Sequence, residues 1–354
     1  MIGSGQGILR AVLSASLVTS TLAASAQEPM PAPLNLSFDS VPDLLKLPDN
    51  LYLGEVAGVA TNSKGHILVF TRTGSEVLTV AASRSFLHGG SRLFEFDEHG
   101  AYVREIGHGI YGFMSAHVVR VDRDDNIWAV DEQSNIVIKF ASDGQFLMNL
   151  GRKPESVAVP AQPPATGTGL GIAGDLFSGP TDVAWDGKGN IFVSDGTGNA
   201  RIVKFDSAGN YIKAWGGRGA GNGQLNDIHT LAVDAAGNVY AGDRGNKRID
   251  VFDNDGNYLK NIQGIGVPTA ICISPGPHQY LYSSYSNGPT DFNNGEIYKL
   301  ELDGRILGHF GTAGKRMKEF GSVHEIDCRD NGVLFVGELA NWRVQKLILH
   351  SDHQ

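Results

Sequence analysis

Residues 181–205 run TDVAWDGKGNIFVSDGTGNARIVKF, and two other stretches repeat them almost position for position. These are HVVRVDRDDNIWAVDEQSNIVIKF at 117–140 and HTLAVDAAGNVYAGDRGNKRIDVF at 229–252. Each holds a run of alternating apolar residues, a turn rich in Gly, Asn and Asp, and a second alternating run ending in Asp. A short loop and a third run ending in Lys-Phe or Val-Phe follow. Next come a further turn and a fourth short run: SDGQFLMNLG, DSAGNYIKAWG and DNDGNYLKNI. Period-two runs joined by such turns are hairpin chemistry. Four strands per unit of this size describe a propeller blade.

Weaker copies extend the series. Residues 56–75 with 92–106 form a first unit that carries an insertion between its halves. Residues 268–311 form another, with an insertion around Ser283–Asn294, and residues 323–348 give a last unit of three evident strands. The expected fold is therefore all-β, a six-bladed propeller over residues 52–349 with four antiparallel strands per blade. The missing outer strand is assigned to residues near 34–48, which would clasp the ring shut. The Pro/Ala/Gly-rich stretch 152–179 reads as a surface loop.

The third strand carries Asp195-x-x-x-Asn199-x-Arg201-Ile202 and Asp243-x-x-Asn246-x-Arg248-Ile249, echoed by Asn341-Trp342-Arg343-Val344. This pattern resembles NHL repeats, and its Asp and Arg are expected to pair structurally, within or between blades.

Composition agrees with strands and turns. Of 354 residues 46 are Gly, 41% are hydrophobic and 19% charged. The formal charge is −9 and no basic run occurs, which argues against nucleic acid or an anionic membrane as partner. Residues 1–26 read as an export signal: one positive charge, a small-residue apolar stretch and Ala24-Ser25-Ala26 as cleavage site. Residues 27–51 read as an N-terminal extension. The protein is expected to be periplasmic or secreted, monomeric, and to act on a small-molecule or peptide-derived substrate. Cys272 and Cys328 could pair in an exported chain, but both lie in apolar strand-like runs, where buried free thiols are expected.

Aligning the blades on the innermost strand puts Ala57, His117, Thr181, His229, Thr269 and His324 at one register position. Histidine falls on blades two, four and six, about 120° apart in a six-fold ring. Three imidazoles with a fourth position open are the ligand set of a catalytic zinc-type ion. The loop after the second strand holds Arg72 in blade one and Arg244 in blade four, where blade two has Glu132 and blade three Gly196. Two guanidiniums at the channel mouth suit an anionic or carbonyl group. Glu325, next to His324, is expected to point off the axis, where it could hold a structural calcium with backbone carbonyls.

With these residues in place the chain resembles the peptidyl-α-hydroxyglycine α-amidating lyases, the lyase part of the peptide-amidating monooxygenase family. The likeness covers about residues 52–349 and is best at Pro180–Ala184, Val193–Gly196, Arg201–Val203 and Asp243-Arg244. It implies a six-bladed propeller with zinc held by His117, His229 and His324, and with Arg72 and Arg244 as substrate-binding and catalytic arginines. It also implies calcium at Glu325, where the family has Asp, completed by carbonyls near Val56 and Val119. The family's catalytic tyrosine falls on Thr197, whose hydroxyl is too weakly acidic to stand in for a phenolate base. The two cysteines that bridge this loop in the family fall on Ser178 and Gly198. Tyr111, Tyr285 and His108, on loops near the channel, are the candidates for the missing base. The resulting expectation is a metal-dependent lyase that cleaves the C–N bond of a carbinolamide. A hydrolase such as a lactonase, or a non-catalytic NHL binding module, are the rivals.

Overall fold

A computed structural model of the chain describes residues 34–73, 77–80, 84–87, 90–152, 176–285, 295–330 and 332–350, with Met1 and Gly3. Contacts group Pro33–Gln354 into one compact unit and Met1–Ala32 into another. The export signal, most of the 152–179 loop and most of the Ser283–Asn294 insertion lie outside the described residues.

The described residues form six four-stranded blades in a ring, as the repeats require. Blade two shows the pattern: Ala116–Val121, Ile127–Asp131, Ile136–Phe140 and Phe146–Gly151 pair antiparallel in that order. The innermost strands of the others are Glu55–Thr61, Pro180–Trp185, Ile228–Val233, Ile271–Ile273 and Val323–Asp330. Each packs against the next around the ring, and the last returns to the first. The outer strand of blade six is Phe38–Val41, antiparallel to Arg343–Leu349, so an N-terminal strand closes the circle as the sequence implied. Leu34–Asn35 adds a short parallel edge to blade five, which the sequence did not announce.

Six apolar clusters are buried, each shared by two neighbouring blades. Both faces of a blade are therefore covered. This is why the second strand Ile127–Asp131 is buried at every position, while the outer strand Phe146–Gly151 is exposed over much of its length. Burial of this apolar surface, at about 25 cal/mol per Å², drives the ring together.

In blades two, three, four and six an acid at the end of the second strand ties the blade to the loop entering its innermost strand. Asp195 accepts from the Ser178 backbone N–H (2.7 Å), from Asn199 (2.6 Å) and from Arg201 Nε (3.0 Å). Asp131 accepts from the backbone N–H groups of Met114 and Ser115, Asp243 from that of Asn226, and Glu338 from that of Gly321. The expected structural pairing of Asp and Arg is thus within the blade, and these acids anchor the chain two or three residues before the channel position of those four blades.

The two cysteines correct an expectation. Cys272 and Cys328 are joined in a disulfide with Cα atoms 6.0 Å apart, and are not free thiols. They sit on the innermost strands of blades five and six, which the ring closure brings side by side. The sequence showed each strand alone and could not show that neighbourhood.

Candidate metal centre

Blades pack face to face, so a regular side chain on an innermost strand aims at a neighbouring blade and not at the axis. A β-bulge breaks that rule by turning one residue out of the pleat. The pairing slips between Ala116 and Val118, between Ile228 and Thr230, and between Val323 and Glu325. The skipped residues are His117, His229 and His324. The same slip occurs at Ala57 and Thr181. In blade five the paired strand begins only at Ile271, beyond Thr269.

The three imidazoles meet on the axis. Ring centroids are 4.5 Å (His117–His229), 4.9 Å (His117–His324) and 4.7 Å (His229–His324) apart. One ligand nitrogen from each lies within 4.8 Å of the others, and all three residues are buried. The orientation is set from behind by the next blade. His229 Nδ1 meets the Thr269 carbonyl at 2.6 Å and His324 Nδ1 meets the Ala57 carbonyl at 2.7 Å. For His117 the equivalent carbonyl is that of Thr181; it raises the pKa of the ring, but its contact falls short of a full hydrogen bond. A carbonyl can only accept, so Nδ1 of His229 and of His324 carries the proton and Nε2 keeps its lone pair for the axis. Burial above all holds the rings of His117 and His229 well below the usual imidazole range; His324 and both arginines add to this at His117, and Arg244 and the other two rings at His229. His324 is pushed down to about 3, by burial first and by Arg72 next. Three neutral, oriented, converging imidazoles fit a tetrahedral divalent ion that leaves one position open.

Arg72 and Arg244 lie at the mouth, close enough to depress the triad. Both are held from behind. Arg72 Nε donates to the Ala116 carbonyl at 2.7 Å, and Arg244 grips Asp227 through Nε (2.8 Å) and Nη2 (3.1 Å). Glu325 is buried beside the centre, but Arg120 Nη1 stands 2.8 Å from its Oε1. The same guanidinium pairs with Asp182 through Nε (3.0 Å) and Nη2 (2.7 Å). A calcium ion would have to displace this guanidinium, so the residues present do not fit the calcium expected at Glu325. The hub network of Arg120, Asp182 and Glu325 was not anticipated from the sequence. Its signal was a set of charged residues, Arg120, Asp182 and Glu325, within innermost strands that are mostly apolar around them.

The candidates for the base are placed by their own surroundings. Tyr111 is 77% exposed, on the loop before blade two. Tyr285 ends the second strand of blade five, at the register held by the NHL acids in other blades, and its ring packs on Tyr298 at 5.4 Å. His108 is exposed and pairs with Glu105 at 3.1 Å. Ser178 and Gly198 do lie side by side, with the Gly198 N–H donating to the Ser178 carbonyl at 2.7 Å.

No protein-family model matches the chain. A probable peptidyl-α-hydroxyglycine α-amidating lyase of Caenorhabditis elegans is 31% identical over 172 residues, 45% of this chain and 43% of that protein. Peptidyl-glycine α-amidating monooxygenase B of Xenopus laevis is 28% identical over 318 residues, 82% of this chain and 33% of that protein. The chain thus spans less than half the length of these curated relatives. Human NHL repeat-containing protein 3 is 26% identical over 165 residues. Among solved structures, a streptogramin B lyase superposes with a TM-score of 0.53 at 13% identity, covering 88% of this chain and 98% of that one. A gluconolactonase from Xanthomonas campestris gives 0.56 at 16% identity, covering 84% and 87%. At such identities these two structures establish the fold alone. In sequence the chain is similar to peptidyl-α-hydroxyglycine α-amidating lyases and to NHL-repeat proteins, and in architecture it is a six-bladed β-propeller.

Proposed function

We propose that this chain is an exported, metal-dependent lyase that cleaves the C–N bond of an α-hydroxyglycine-type carbinolamide, giving an amide and an aldehyde. The observation that carries this reading is the convergence of His117, His229 and His324 on the axis, with the Nδ1 atoms of His229 and His324 turned away to backbone carbonyls. A purely scaffolding propeller has no need of three desolvated imidazoles there. The similarity to amidating lyases supplies the reaction class.

The three histidines would hold zinc through Nε2. When bound, the ion supplies Lewis-acid polarisation of the substrate hydroxyl. Arg72 and Arg244 receive the substrate carboxylate at the mouth. Arg72 is already held through Nε and Nη1, and Arg244 through Nε and Nη2, so the remaining nitrogens, Nη2 of Arg72 and Nη1 of Arg244, bind without a large loss of side-chain freedom. Arg72, the largest charge influence on His324, faces the charge that develops as the C–N bond breaks. The disulfide between Cys272 and Cys328 supports an oxidising, exported location.

A hydrolase acting on a lactone is the second reading, favoured by the short Thr197 side chain at the mouth. Elemental analysis with turnover assays on α-hydroxyhippurate and on aldonolactones separates the two. Metal bound without carbinolamide cleavage would sink the lyase reading.

A further inference from the structure

The reaction moves a proton from the substrate hydroxyl to the departing amide nitrogen, while Tyr111 is exposed, Tyr285 packs on Tyr298 and His108 pairs with Glu105. We infer that Glu132 is the proton-relaying catalytic residue; this rests on the lyase reading above. Two observations place it.

Glu132 follows Asp131, which pairs with Ala116, and its own N–H donates to the Ser115 carbonyl at 3.1 Å. In blade one, Arg72 follows Thr71, which pairs with Val56, and in blade four Arg244 follows Asp243, which pairs with Ile228. Glu132 therefore occupies the same register of the mouth ring as the two arginines whose charges reach the imidazoles. Among the described residues it is the acidic member of that tier: blade three has Gly196, where a Cβ would stand 1.8 Å from the Ile228 carbonyl, and blade six has the apolar Leu339. Next, the side chain crosses from blade two to blade three, and its Oε1 accepts from Thr197 Oγ1 at 2.9 Å. Thr197 is fixed in turn, by its N–H on the Gly179 carbonyl (3.2 Å) and by Arg218, which donates to the Thr197 carbonyl (3.4 Å). The carboxylate is thus steered and not merely exposed.

The step balances without any co-reactant. The carboxylate of Glu132 takes the hydroxyl proton of the carbinolamide, the O–H electron pair forms the aldehyde C=O, and the C–N bond breaks. Its electron pair goes to nitrogen, and the carboxylic acid of Glu132 returns the proton there to complete the amide.

The test uses the full zinc-loaded chain with an α-hydroxyglycine derivative, comparing parent, Glu132→Gln and Glu132→Asp. The amide variant keeps the side-chain length and can still accept from Thr197. Its kcat is expected to fall about 10²–10⁴-fold, with KM and zinc content little changed and the acid limb of the pH profile lost. Glu132→Asp should recover part of the rate. Turnover of Glu132→Gln within about threefold of the parent overturns the proposal. A readout independent of turnover is the visible spectrum of cobalt-loaded protein titrated with pH. Removing a nearby negative charge should lower its midpoint by about half a unit or more. An unmoved midpoint also overturns the placement of Glu132. If the parent cleaves no carbinolamide, the lyase reading falls, while the cobalt titration still decides whether this carboxylate faces the centre.

Discussion

At the scale of single residues, burial is the dominant force on the chemistry. An imidazole with an ordinary pKa near 6.5 takes up a proton in the unfolded chain below that pH, while these three stay neutral in the fold. The folded values are depressed, so this contribution to stability is present above about pH 6.5 and is lost as pH falls toward the folded values. Each ring costs up to about 1.4 kcal/mol per pH unit in that window. Urea denaturation of metal-free protein at pH 7 and pH 5 should therefore show a loss that is smaller in His324→Gln; equal losses in parent and variant would contradict it. Removing one ligand should also abolish stoichiometric binding. His229→Ala is expected to copurify with far less than one zinc per chain and to lose the zinc-dependent rise in Tm, which elemental analysis and calorimetry would show. Arg244→Ala keeps the centre intact, so its expected effect is a rise in KM with metal content unchanged.

At the scale of elements, the blade is held by buried ion pairs that also locate the centre. Asp195 and Arg201 are both buried, and burial raises the Asp195 carboxyl above its ordinary range despite the guanidinium beside it. Cutting the pair leaves one charge uncompensated, which costs about 3–5 kcal/mol. Arg201→Ala should lower the urea midpoint accordingly, and a loss below about 1 kcal/mol would show that the pair is not what anchors the loop through Ser178. The bulges belong to this scale as well. They turn the histidines inward, and the acids that tie down the preceding loops fix where each bulge falls.

For the whole molecule, closure is the question, because a propeller is stable only as a complete ring. Two devices seal it here: the N-terminal strand on blade six and the disulfide between blades five and six. The bridged cysteines are 56 residues apart, a loop long enough for the cross-link to stabilise by about 2–4 kcal/mol. Replacing both with Ser, or adding reductant, should lower Tm by several degrees. Because the disulfide lies away from the mouth, zinc content should hold. An unchanged Tm would mean that the ring needs no covalent seal.

The repeats by themselves determined the blades, their order, the clasp and the histidine register. A four-strand unit repeated in sequence must stack its covered faces, and identical positions then become symmetric about one axis. The structural role of the NHL acids was legible for the same reason. Only the tertiary structure decided what depends on contact between blades. It joined Cys272 to Cys328, put Arg120 against the carboxylate of Glu325 where calcium was expected, and laid Glu132 across to Thr197. It also carried Tyr111 into solvent and Tyr285 against Tyr298. Alternation states which way a side chain leaves its own strand. What it meets is fixed by the neighbouring blade, and in a ring that neighbour is set by closure, which no local stretch of sequence contains.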